Sequence, residues 1–138
     1  MFDDDVTRWV LPLVLEQRAD ELGGHELVHV IGEGPLSYAA AARDARRVAS
    51  RLASVGVRRG DPVAVLLPSG LDFVRVWLGL GRLGAVIVPV NTALEGAFLA
   101  HQLDDCGARF IVADDGGARA VRNAPGSAAG REIGAEAS

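Results

Sequence analysis

The sequence predicts an α/β fold, a parallel-sheet layer with flanking helices. Three observations predict it. Apolar runs at Val63 to Leu67, Ala85 to Val90 and Arg109 to Ala113 are each introduced by a glycine-containing turn. Their starts lie about 22 to 24 residues apart, with helical periodicity between them, the pattern of successive βα units. The first two runs are continuously apolar rather than alternating, as in strands buried on both faces of a parallel sheet.

Each element follows in order. Pro12 to Leu22 reads as a helix, with Pro12 in the first turn, Gly23-Gly24 as the stop, and Leu13, Val14 and Ala19 as an apolar stripe. Leu27 to Ile31 is a short strand, and the turn Glu33-Gly34 leads to a second strand at Leu36, which suggests a hairpin. Ser37 is placed as the N-cap of a long helix. That helix turns Ala41, Ala45, Val48, Leu52 and Val55 inward, leaves Arg43, Asp44, Arg46, Arg47 and Arg51 on its other faces, and stops at Gly56. After the strand from Val63, Pro68-Ser69-Gly70 breaks the chain, with Ser69 as a helix cap. A helix from Leu71 to Leu83 is expected to face Phe73, Val76, Trp77 and Leu80 inward. A helix from Leu94 to Asp104 is expected to do the same with Phe98, Leu99 and Leu103. From Asp114 to Ser138 the chain is rich in Gly and Ala without sustained periodicity. The expected organisation is an α/β subdomain over 1–113 and a flexible tail over 114–138.

Composition excludes several functions. A length of 138 residues holds one domain or part of one, and 49% hydrophobic residues suffice for a core of mainly Val, Leu and Ala. The formal net charge of -4 argues against a nucleic-acid binder that works through bulk charge. Every cationic side chain is Arg. Without Lys there is no Schiff-base nucleophile, lysine acid or lysine phosphate clamp. Cys106 is the single cysteine, so no internal disulfide forms, and nothing near it supplies a base. The N-terminus Met1-Phe2-Asp3-Asp4-Asp5 is acidic, unlike a secretory leader, and reads as a solvated tail. No apolar run approaches the ~20 residues that span a bilayer. The expectation is a cytoplasmic protein with no membrane span.

Motif by motif, little chemistry is present. Gly79-Leu80-Gly81-Arg82-Leu83-Gly84 matches Gly-x-Gly-x-x-Gly, but a dinucleotide site needs that pattern at a helix N-terminus after a strand. Here it closes a helix, where the dipole has the wrong sign for an anion. Close helix–sheet packing and a helix stop are the better reading. His25, His29 and His101 lack metal-ligand spacing, and Ser69 lacks the glycines of a nucleophile elbow. Neither a catalytic residue nor a metal ligand is assigned. Two pairs follow the C-terminal ends of strands, where open α/β sheets place ligands. They are Asn91 with Thr92, and Arg119 with Arg122, whose forks suit phosphate but which read first as solvated charges of the tail.

The order of these segments resembles one family. Gly60-Asp61-Pro62-Val63-Ala64, then Gly84-Ala85-Val86-Ile87-Val88-Pro89-Val90-Asn91, then Gly107-Ala108-Arg109 running to Asp114 is similar to the N-terminal part of an AMP-forming acyl-CoA synthetase. That superfamily includes the peptide-synthetase adenylation domains and the luciferases. Pro89-Val90-Asn91-Thr92-Ala93-Leu94 and the stretch Phe98 to Arg109 look like acyl-CoA ligases of the carnitine/crotonobetaine and fatty-acid types rather than peptide-synthetase domains. The resemblance implies a partial N-terminal subdomain of the synthetase/luciferase fold. For a full-length member it implies carboxylate activation with ATP and Mg, then thioester formation with CoA.

It also implies what is missing. The Ser/Thr/Gly-rich loop ending in Pro-Lys-Gly, the aromatic-Gly-x-Thr-Glu and Thr-Gly-Asp segments and the C-terminal Lys of the family do not occur. The chain is therefore expected to be inactive alone and to hold no cofactor of its own except, through Asn91, Thr92, Arg119 and Arg122, contacts to CoA. Family members continue past Asp114 with a helix and another strand, so the glycine-rich remainder reads as a truncation. The apolar faces of Val63 to Leu67 and Ala85 to Val90 are expected to be partly uncovered and to promote self-association. The alternative is a stand-alone, non-catalytic remnant or small binding module with the same fold.

Overall fold

The apolar runs bounded by glycines become strands in the computed structural model, which describes residues 10–126 and, as backbone, 132–135. The elements are α1 (Leu11–Leu22), β1 (Glu26–Val30), β2 (Gly34–Ser37), α2 (Tyr38–Ser54), β3 (Pro62–Leu66), α3 (Leu71–Leu83), β4 (Val86–Pro89), α4 (Gly96–Asp105), β5 (Phe110–Ala113), α5 (Asp115–Asn123) and β6 (Glu132–Ala135). β1 and β2 form the expected antiparallel hairpin. The main sheet is parallel, in the order β4-β3-β5-β6. Pro62 lies opposite Val86, Val63 opposite Phe110, and Phe110 opposite Glu132. The acidic start Asp3-Asp4-Asp5 and the chain after Ala135 lie outside the described residues.

Alternation along β3 and β5 builds two cores. Val63, Val65, Phe110 and Val112 face one way and pack with Val48 of α2 and Val76 and Leu80 of α3. Ala64, Leu66, Ile111 and Ala113 face the other way and pack with Leu99 and Leu103 of α4 and Ala118 and Val121 of α5. Residues Val63 to Leu67 are thus closed on both faces, which corrects the expectation that they would be partly uncovered. Burying each of the leucines stabilises the fold by about 1.5–3 kcal/mol. A third cluster joins Leu15 of α1 and Leu36 of the hairpin to Ala41, Ala42 and Ala45 of α2 and to Leu71 and Leu78 of α3.

β4 is one edge of the sheet, and there burial is partial, with Val86 52% exposed and Ile87 packed against the core. Its backbone is less open than its side chains. Val86 N–H donates to Asp61 O and Val90 N–H to Val65 O, so the two-residue repeat of a parallel ladder turns positions 87 and 89 outward. Pro89 has no N–H, which leaves Ile87 as the outward donor on this edge. Edge prolines blunt strand addition in this way.

Several inward faces differ from the periodicity. Leu15, not Leu13, is buried in α1. In α3 the buried residues include Leu78 and Gly79, while Trp77 is 43% exposed. In α4 Leu99, Ala100 and Leu103 are buried and Phe98 is 78% exposed. Small residues explain α3. A Cβ on Gly79 would lie 2.5 Å from Val48 Cγ1 and 3.3 Å from Ala45 O, so α2 and α3 approach through a glycine and the large ring is left outside. The 79–84 glycine pattern is therefore helix–helix packing at Gly79, rather than helix–sheet packing. It ends in a left-handed C-cap at Gly84, with φ 72°.

The largest difference is past Asp114. The expected flexible tail holds α5 over Asp115–Asn123 and β6 over Glu132–Ala135. Asp114 Oδ1 accepts the Gly117 N–H at 2.8 Å, and Ala118 and Val121 are buried against α4 and the sheet. The cap satisfies a first-turn donor and the burial supplies what the glycines lack in propensity.

Candidate functional site

All strands of the main sheet run parallel, so their C-terminal ends share one edge of the molecule. The helix after β3 packs on one face of the sheet and the helix after β5 on the other, although the two strands are neighbours. Adjacent strands whose following helices part to opposite faces leave a crevice between them, the usual ligand position in an open α/β sheet. The crevice lies between the loop at Pro68-Ser69-Gly70 and the start of α5 at Asp114.

The chain itself caps both helix N-termini there. At α5 the cap is Asp114. At α3 it is not Ser69, as the sequence suggests, but Glu33 from the hairpin turn, whose Oε2 accepts the Leu71 N–H at 3.1 Å. Gly70 permits this approach, since a Cβ there would fall 2.4 Å from Glu33 Oε1. The donors that would meet an anion at either helix start are thus already partly engaged by carboxylates.

α5 exposes Arg119 and Arg122, three residues apart, beside buried Ala118 and Val121. Neither arginine is held by an ion pair or hydrogen bond among the described residues. Gly117 sets the height of α5 over the sheet. A Cβ at that position would lie 2.7 Å from Leu66 O and 3.0 Å from Ala113 Cβ. Asn91 and Thr92 follow β4 and are exposed. Asn91 Oδ1 accepts the Ala93 N–H at 2.9 Å, which fixes the side chain against its own turn. The two pairs are not adjacent. β3 stands between β4 and β5, so their strand ends are separated by about 10 Å, two strand spacings.

His25, His29 and Cys106 each make a local contact. His25 Nδ1 lies 2.6 Å from Leu22 O, and His29 faces Glu26 at 3.3 Å. Cys106 ends α4, with Sγ 3.4 Å from Leu103 O. Among the described residues no helix is long and apolar enough to cross a membrane. Sequence reasoning missed Glu33, which is 38 residues from its partner and carries no local signal. It also missed Gly117, although the Gly116-Gly117 pair beside a strand end hints at close backbone approach.

Comparison with known proteins adds a family match, two related ligases and one solved structure. Residues 15–136 match the family described as AMP-binding enzyme. The long-chain-fatty-acid–CoA ligase FadD13 of Mycobacterium tuberculosis is 35% identical over 77 residues, which is 56% of this chain and 15% of that protein. The crotonobetaine/carnitine–CoA ligase of Salmonella arizonae is 41% identical over 58 residues, 42% of this chain and 11% of the ligase. The inhibitor-bound N-terminal domain of FACL13 from Mycobacterium tuberculosis superposes with a TM-score of 0.80 at 27% identity, covering 91% of this chain and 33% of that one. The chain thus spans about a third or less of each of these proteins.

Proposed function

Because this chain belongs to the AMP-binding enzyme family, we propose that it is the N-terminal region of an AMP-forming acyl-CoA ligase and does not perform the ligase reaction alone. The observation that carries the reading is the family match across nearly the whole fold, with CoA ligases among the relatives. A cytoplasmic location accords with this reading.

The family's ATP and Mg do not fit the residues present. The sequence has no Lys and no Ser/Thr/Gly-rich phosphate loop, and carboxylates cap both helix starts at the crevice. No step of adenylation is assigned to this chain. CoA fits better. Arg119 and Arg122 offer two unpaired forks on one helix face for its nucleotide phosphates. Asn91 and Thr92 offer an amide and a hydroxyl to its pantetheine arm.

The chain is expected to catalyse no ATP–pyrophosphate exchange with any fatty acid. Exchange above a no-enzyme blank, in a preparation freed of host ligases, contradicts the reading.

The exposed apolar side chains support a second element of this proposal, self-association of the isolated chain. Val86, Trp77 and Phe98 are all open, which for a piece of a larger fold marks surface that other segments cover. With Pro89 blunting the β4 edge, contact would form through side chains. Light scattering is expected to show oligomers growing with concentration. A monodisperse monomer that binds no apolar dye would count against it.

A further inference from the structure

We propose that the arginine-lined groove on α2 and α3 binds a phosphate-bearing anion, at a site separate from Arg119 and Arg122. Six of the chain's 14 basic residues fall between Arg43 and Arg59, with Asp44 the lone acid among them. The overall charge of -4 therefore conceals a strongly basic surface. In the fold, Arg43, Arg46, Arg47 and Arg51 of α2 and Arg75 of α3 line one groove of about 820 Å³. It lies on the α2–α3 side of the sheet, whereas α5 packs on the other.

The carboxylates described against it are shared between arginines. Asp44, the acid in the lining, is shared, with Oδ1 accepting from Arg43 at 3.1 Å and Oδ2 from Arg75 at 3.0 Å. Glu16 reaches Arg46 from α1 at 2.8 Å but also holds Arg82 at 2.9 Å. Arg47 has no ion pair among the described residues. Arg43, Arg47 and Arg51 recur every four residues and so stack on one face of α2, an arrangement that disfavours the helix through like-charge repulsion. An anion in the groove would relieve that repulsion.

The groove is also oriented in advance. Arg75 is fixed by Asp44 and by Asp72 at 3.0 Å. Its partial burial works against the charge, yet the hydrogen bonds to Asp44 and Asp72 hold its pKa above the ordinary value, so the guanidinium stays charged. Planar forks with fixed neighbours match phosphate oxygens better than flexible ammonium groups do. A soluble oligophosphate and an anionic lipid headgroup present the same chemistry here.

The test uses the full chain and inorganic tripolyphosphate. Calorimetry at low salt should show saturable binding that weakens as salt rises. Arg47→Ala with Arg51→Ala should weaken it by about tenfold or more, because two charge-assisted contacts are lost. Arg47→Lys with Arg51→Lys should keep part of it, and far-UV circular dichroism should show unchanged helix content in both variants. The Lys pair keeps the test decisive if the Ala pair disturbs α2. Co-sedimentation with phosphatidylglycerol vesicles, but not phosphatidylcholine vesicles, and dependence on Arg47 and Arg51, would identify a headgroup. Tripolyphosphate binding without vesicle retention would identify a soluble ligand. No binding to either probe, or binding that the paired substitutions leave unchanged, would overturn the proposal.

Discussion

Gly79→Val is expected to remove much of this chain's folding stability. Val48 Cβ and Cγ1 would lie 2.6 and 2.5 Å from the new Cβ, and the Ala45 carbonyl lies behind them at 3.3 Å. Val48 is a buried part of the core under α2 and α3, so it has little room to turn away. Overpacking of this kind costs about 1–3 kcal/mol for modest insertions. A branched side chain against a helix backbone should reach or exceed the upper end, a large share of a typical margin of about 5–15 kcal/mol. Gly81→Ala in the same helix supplies the contrast. Its Cβ would meet only Leu11 Cδ2, at 3.5 Å, so the helix propensity gain of about 0.5–1 kcal/mol should appear as stabilisation. Urea unfolding should move the two midpoints in opposite directions. Equal midpoints would mean that the α2–α3 contact at Gly79 is not close.

Gly117→Val is expected to undock α5. The obstacle is backbone, the Leu66 carbonyl at 2.7 Å from the added Cβ, with Ala113 Cβ at 3.0 Å. Neither can move without disturbing β3 or β5, so the helix must lift. The expected cost is about 2–3 kcal/mol, by the same overpacking argument. Protection of α5 amides against hydrogen exchange should fall well before protection of β3. Gly116→Ala, whose Cβ would find only Asp114 Oδ1 at 3.6 Å, should leave exchange unchanged. Uniform loss across the molecule in Gly117→Val would show that α5 is not a separable unit.

These two glycines also mark where the sequence was and was not legible. The parallel strands, the hairpin, the Ser37 cap and the span of α3 followed from apolar runs, turn residues and spacing, because each is specified locally. Ser37 Oγ does accept the Ala40 N–H, at 3.1 Å. The inward faces of α3 and α4 were read less well. Periodicity assigns large apolar residues to the core, whereas helix–helix approach at Gly79 excludes bulk and leaves Trp77 outside. α5 was missed because Gly116 and Gly117 cost about 1 kcal/mol each in helix propensity, and only packing against Leu66 and Ala113 shows why one of them is needed. At the crevice, Arg119 and Arg122 could be named from sequence, but their shared face depends on that helix. Glu33 at the start of α3 joins residues far apart in the chain and had no local sign.

Calorimetric titration of the chain with CoA, dephospho-CoA and ATP tests the central claim, that this is the N-terminal region of a CoA ligase bearing CoA contacts without the adenylating machinery. CoA should bind weakly yet better than dephospho-CoA, each arginine–phosphate contact being worth about 1–3 kcal/mol at an exposed site. Arg119→Ala with Arg122→Ala should erase the difference, and in a chain carrying Arg47→Ala with Arg51→Ala, which silences the α2–α3 groove, ATP should bind no better than dephospho-CoA. Equal affinity for CoA and dephospho-CoA, or no binding at millimolar ligand, would contradict the account and return both arginines to the solvated surface of α5.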